Sequence, residues 1–210
     1  MKTWKDITLR QFNKIQDLLQ EIDEYTTLNI IDVIYDVDSA NLPAMEVMNK
    51  YAHSLDFLTT TIPTNEKLKD VYTINQREYN SNINLTQMTT AQFVDYQNYT
   101  KENPVDISKC LSVFIIPKEH TYNDGYDLKQ VQEDIKDLDM VTINTLAFFF
   151  KKLYLLLLET TLLCLTQDTK KMNIPTEKKE EILNQLKQID LVNLASSPTS
   201  SLFANLPTIH

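Results

Sequence analysis

A single glycine, Gly125, in 210 residues is the feature that most restricts this chain. At ordinary usage of about 7%, roughly fifteen would be expected. Phosphate-binding loops and dinucleotide-binding turns use several glycines, because backbone N–H groups must approach phosphate closely. Neither can be written with one. Barrels and propellers need many tight turns at positive φ and are disfavoured for the same reason. The expectation is a mainly α chain.

Charge narrows the partners. Lys plus Arg is 20 and Asp plus Glu is 29, a net charge of −9. That average field repels phosphate backbones, so no nucleic-acid partner is expected. The densest basic stretches, Lys151-Lys152, Lys170-Lys171 and Lys178-Lys179, are pairs on helix faces. Cys110 and Cys164 lie in apolar stretches, as small hydrophobes in a reducing compartment do. The N-terminal residues carry no signal-peptide core. The most apolar stretch, Thr145 to Leu165, is broken by Lys151, Lys152 and Glu159. Each charge at mid-bilayer costs about 3 kcal/mol, so a helix buried on most sides, or completed by a partner, is expected rather than a membrane span.

Periodicity places the elements. An amphipathic helix runs from Trp4 to Glu24, with Thr8 as its cap and Gln11 three residues on. Leu9, Phe12, Ile15, Leu18, Leu19 and Ile22 form its apolar face. A short helix follows from Thr27 to about Asp36. A third starts at Pro43 and ends before Pro63. Val71, Tyr72 and Ile74, then Tyr79 and Ile83, flank Asn75-Gln76 and predict a small hairpin near 70–83. Thr89 and Gln92 repeat the Thr-x-x-Gln box, through either shared start chemistry or a duplication of two helical layers. An apolar helix is expected from Pro104 through Ile116, stopped by Pro117. Asn123-Asp124-Gly125 is a turn, followed by a helix from Leu128 to Lys136. Asp139 opens a long apolar helix reaching about Leu165, and a last helix spans Thr176 to about Leu191. The organisation expected is one helical domain over 1–192 and an extended or mobile tail over 193–210.

Candidate chemistry is thin. His53, His120 and His210 are far apart in sequence, and the cysteines form no Cys-x-x-Cys, so no metal site is readable. Asp32, Asp36 and Asp38 lack the glycine and closing glutamate of a calcium loop. Residues 123–127 read as a turn and an Asp-initiated helix rather than a cation site. Cys110 with His120, the one imaginable nucleophile and base, fails because an apolar helix silences the thiol. Phe93, Tyr96 and Tyr99 at helical spacing read as a core or interface stripe. No catalytic residue and no cofactor is therefore assigned. Two apolar features exceed one narrow core stripe: Phe148, Phe149 and Phe150, and the run containing Leu155 and Leu156. These five, with Leu202, Phe203 and Leu206 in the tail, are the candidate partner-binding residues.

Four segments carry a likeness. They are Trp4-Lys5-Asp6-Ile7-Thr8-Leu9-Arg10-Gln11-Phe12; Leu55-Asp56-Phe57-Leu58 with Ile62-Pro63; Met88 to Tyr96; and Leu111-Ser112-Val113-Phe114-Ile115-Ile116-Pro117-Lys118, continued by Tyr122 to Asp127 and Phe148-Phe149-Phe150. In these the chain resembles tailed-bacteriophage morphogenesis proteins, the tail-assembly-chaperone-like and virion-associated proteins of phages of gut Bacteroidota. The resemblance implies binding to other phage structural or tail proteins, or to a second copy, in the host cytoplasm during assembly, and no enzyme activity. A stoichiometric virion part, such as a connector ring, tail or cargo protein, is the alternative. A small hydrolase and a host-directed acidic protein are the other classes weighed.

Overall fold

A computed structural model describes residues 2–65, 67–81, 88–172 and 174–195. It is mainly helical with one small antiparallel sheet. The first helix, α1 (Leu9–Gln20), is shorter at both ends than the expected Trp4 to Glu24: Thr8 caps its start, the chain leaves the helix at Glu21, and Ile22, expected on the apolar face, is 73% exposed. Trp4–Asp6 forms a separate 3-10 turn. Between them, Thr8 makes a β-bridge to Asp139, and Asp139 caps the long helix α7 (Met140–Lys171). Two helices thus start back to back. The orphan N–H groups of α1 find carbonyls there: Leu9 N donates to Leu138 O at 3.0 Å and Arg10 N to Lys136 O at 2.8 Å. A helix start buried without such partners would leave its first amides unsatisfied.

After α1 come α2 (Thr26–Tyr35) and α3 (Ala44–Lys50), the latter continued by a 3-10 run, Ala52–Thr59. Trp4 holds this layer down. Its Nε1 donates to Thr60 O at 3.2 Å, and its ring meets Phe57 and Phe12 edge-on at 5.2 and 6.1 Å.

The expected hairpin is present as β1 (Val71–Ile74) and β2 (Arg77–Ser81), with Ile74 opposite Arg77. Ile83, its expected end, lies outside the described residues. Asn75 and Gln76 both have positive φ, 49° and 65°. That is the turn geometry matching the twist of the flanking strands.

One expected helix is corrected. The apolar run from Pro104 to Ile116 splits into α5 (Ile107–Ser112) and a strand, β3 (Ile115–Pro117), which pairs with β2 through Asn80–Ile116 and Ser81–Ile115. A short apolar run suits a buried helix or a buried strand equally. Here the open edge of β2 selects the strand, and β-branched Ile115 and Ile116 fit it. The sheet order is β1-β2-β3.

The two Thr-x-x-Gln boxes carry their likeness into the tertiary structure. In α1, Thr8 N donates to Gln11 Oε1 at 3.0 Å and Gln11 Nε2 donates to Val33 O, near the end of α2, at 2.9 Å. In α4 (Thr90–Tyr99), Thr89 N donates to Gln92 Oε1 at 2.9 Å and Gln92 Nε2 donates to Val113 O, just past α5, at 2.9 Å. One side chain caps its own helix and ties down the next.

The turn at Asn123-Asp124-Gly125 leads into α6 (Leu128–Ile135), whose cap Asp127 accepts from Lys129 N at 2.9 Å. Helix α7 is longer than expected and ends at Lys171; α8 (Thr176–Ala195) packs on it. Met140, Ile143, Leu146 and Phe150 form the buried stripe of α7, and Phe150 stacks on Phe114 at 3.9 Å. The expected tail overlaps α8 up to Ala195; residues 196–210, with Leu202, Phe203 and Leu206, lie outside the described residues.

Candidate functional site

Of the residues with catalytic potential, the side chains of Cys110, Cys164 and His120 are described. Cys110 is buried on α5, and burial pushes its thiol up to about 12, which leaves it protonated and unreactive. His120 is exposed, with Nδ1 3.0 Å from Asp124 O and its ring edge-on to Tyr126 at 5.8 Å. It lines an open cleft with Arg77, Glu78, Tyr79, Lys118 and Gln130. The two cations there are committed: Arg77 pairs with Asp134 and Lys118 with Glu78. His210 and the side chain of His53 lie outside the described residues. Among the described residues no group of three or more His, Cys, Asp or Glu is arranged to hold a metal ion. Asp32 and Asp38 serve the local backbone and a neighbour instead: Asp32 accepts from Ser39 N at 2.7 Å and Asp38 from Asn41 Nδ2 at 2.6 Å.

The most organised polar group is a buried carboxylate. Asp134 of α6 is 2% exposed. Its oxygens accept from the Tyr79 hydroxyl, from Gln130 Nε2 at 2.9 Å, from Asn75 Nδ2 at 3.1 Å and from Arg77 Nη1 at 3.2 Å. Burial alone would raise the Asp134 pKa. The hydrogen bonds from Tyr79, Asn75 and Gln130, with the Arg77 charge, outweigh it and hold the carboxyl below its ordinary value. The same burial, then the Asp134 contact, pushes the Tyr79 hydroxyl up to about 12. Asn75 also donates to Asp137 at 2.9 Å, and Asp137 accepts from Arg10 Nε at 2.8 Å. This network ties the hairpin to α6 and α6 to α1. Each of these side chains makes a hydrogen bond or ion pair within the network, which holds the elements in place.

Sequence periodicity missed Asp134. The signal is there in retrospect: Val131, Ile135 and Leu138 are the inward face, and residue 134 falls on it. A carboxylate at a core-facing position needs several donors around it.

The apolar candidates divide. Phe148 is 54% exposed, and Phe149 is half-buried with its ring edge-on to Phe148 at 5.8 Å. Phe150 is corrected from partner-facing to core: it is 1% exposed and stacked on Phe114. Three consecutive helical residues span about 200° of the helix, so they cannot all face one way. The side chains of Leu155 and Leu156 lie outside the described residues. Further along α7, Leu163 and Leu165 are 61% and 46% exposed, and Met172, just past its end, is 49% exposed. Sequence reasoning had not singled out these three. At 1.5 Å per residue α7 is about 48 Å long. Helix α7 packs against α8. Among the described residues no helix is long and apolar enough to cross a membrane. Comparison of the chain with protein-family models, with curated proteins and with solved structures gave no match.

Proposed function

We propose that this chain acts by binding other proteins, without catalysis of its own, and that its setting is the assembly of a tailed phage. The observation that carries the binding role is the set of large apolar side chains on α7: Phe148, Leu163, Leu165 and, at its end, Met172. Single exposed hydrophobes are ordinary on any surface. Phe148 and Leu163 share one side of α7, and Leu165 with Met172 just past its end share another, so the helix offers apolar side chains on two sides, the kind of surface that partners cover. The phage setting rests on the sequence resemblance. Within it, an assembly chaperone that holds a tail component and then leaves is the first reading. A stoichiometric virion part is the second.

Quantitative mass spectrometry of purified particles and of infected-cell lysate tests both. Abundance in lysate with absence from particles is the outcome expected for the chaperone. A fixed copy number per particle makes the chain a virion part. Absence of any complex with co-expressed tail or head proteins, together with absence from particles, overturns the assembly role.

A further inference from the structure

A second surface, distinct from that of α7, is shaped by α1 and α2. Lys14, Asp17 and Leu18 follow one another at helical spacing on one face of α1, with Glu21 just past its end; Asn29, Asp32 and Val33 share a face of α2. With Asp23 between the helices they line an open groove of about 600 Å³. Leu18 and Val33 are its aliphatic floor, both partly buried against the core. The walls carry four carboxylates against one lysine. The connection between α1 and α2 also exposes Ile22 and Tyr25, 73% and 57%.

The charge of this groove is uncompensated, and it flanks an aliphatic floor. The ion pairs of the chain lie elsewhere: Glu133 and Asp137 with Arg10, Asp134 with Arg77, Glu102 with Lys109 and Glu78 with Lys118. Among the described residues, Asp17, Glu21, Asp23 and Asp32 make no ion pair, and neither does Lys14. Asp23 and Asp32 accept only neutral hydrogen bonds, from Tyr25 N and Thr26 Oγ1 and from Ser39 N. An aliphatic floor between walls of unpaired carboxylates is complementary to one kind of occupant.

The geometry points to the α1–α2 groove as a docking site for a basic amphipathic helix of a partner protein. The partner lays aliphatic or aromatic residues over Leu18 and Val33, and sets Lys or Arg against Asp17, Glu21 and Asp32. Helix-in-groove recognition supplies the apolar anchors, and the charges supply orientation and speed of encounter. This inference rests on the proposed protein-binding role and specifies the chemistry of one partner.

The test uses the full chain, isotopically labelled, titrated with a Leu/Lys amphipathic peptide of about 14 residues, some 20 Å as a helix. Amide shifts are expected to concentrate in 14–21 and 29–33. Asp17→Asn with Glu21→Asn is expected to weaken binding about tenfold. Asp56→Asn with Asp70→Asn removes the same charge elsewhere and is expected to change it less than twofold. The Asn pairs replace exposed side chains, and unchanged thermal melts verify that the fold survives. Equal weakening by both pairs, equal binding of a Ser/Lys peptide, or shifts centred on Phe148, Leu163 and Leu165 overturns the groove. Capture of phage tail components that is untouched by the Asp17/Glu21 pair also overturns the groove while leaving the assembly role standing. Groove-specific peptide binding by a chain that joins no phage complex does the reverse.

Discussion

Replacing Asp134 by Asn tests whether the buried carboxylate holds the fold together. The side chain keeps its size and loses its charge. In the native chain four donors converge on it, from Tyr79, Arg77, Asn75 and Gln130. Hydrogen bonds to a charged group contribute about 1.5–3 kcal/mol each, and a neutral amide can keep some of these contacts after Asn75 and Gln130 reorient. Arg77 is 56% exposed, so its pairing counts for little. The net loss expected is about 2–4 kcal/mol at neutral pH, a large share of a typical 5–15 kcal/mol. The pH dependence sharpens the test. The folded-state pKa of Asp134 is depressed, so its contribution is present above the unfolded carboxyl range and is lost as pH falls through the folded value, below 3.8. Urea unfolding of wild type and variant is to be followed from pH 7 downward. The gap should be full at pH 7 and shrink once the pH drops below the ordinary carboxyl pKa. Tyr79→Phe, which deletes one donor, should cost less, about 1–2 kcal/mol. A variant within about 0.5 kcal/mol of wild type at pH 7, or a gap that ignores pH, would refute the reasoning.

Three further outcomes are expected. Gln76→Gly should stabilise by about 1 kcal/mol, read as a rise in melting temperature, because residue 76 sits at φ 65° where only glycine is unstrained. Gln92→Leu should destabilise by about 2–3 kcal/mol in urea, and Gln11→Leu by about half that. Both lose the same bonds, but Gln92 is 1% exposed while water reaches the partly exposed Gln11. Phe150→Ala should cost about 3–5 kcal/mol and Phe148→Ala less than about 0.5, the difference between a stacked core ring and an exposed one. Equal costs in that last pair would place the ring of Phe150 outside the core.

Local chemistry made much of the fold legible. Thr8 with Gln11 and Thr89 with Gln92 start helices through contacts within four residues, so the capping boxes were readable from spacing. Asp127 and Asp139 are caps for the same reason. The hairpin turn at Asn75-Gln76 and the turn at Gly125 needed only near neighbours. The scarcity of glycine already excluded the phosphate-binding loops, since no tertiary arrangement can supply a missing close approach of the backbone.

What stayed hidden depends on partners distant in sequence. Residues 113–116 form a turn and a strand because β2 offers an unpaired edge, and that edge is some 35 positions away in the chain. Asp134 is bearable in the core because Asn75, Arg77 and Tyr79 of the hairpin arrive opposite it. Phe150 continues the stripe of Met140, Ile143 and Leu146 while Phe148, two positions earlier, falls off it, and Phe114 supplies the ring that the stripe meets. The α1–α2 groove is likewise invisible in either helix alone, because its carboxylates acquire a common floor only when Leu18 and Val33 are brought side by side. Periodicity tells a helix which face is apolar; long-range packing settles what that face meets, and a buried charge or an exposed ring acquires its meaning from that neighbour.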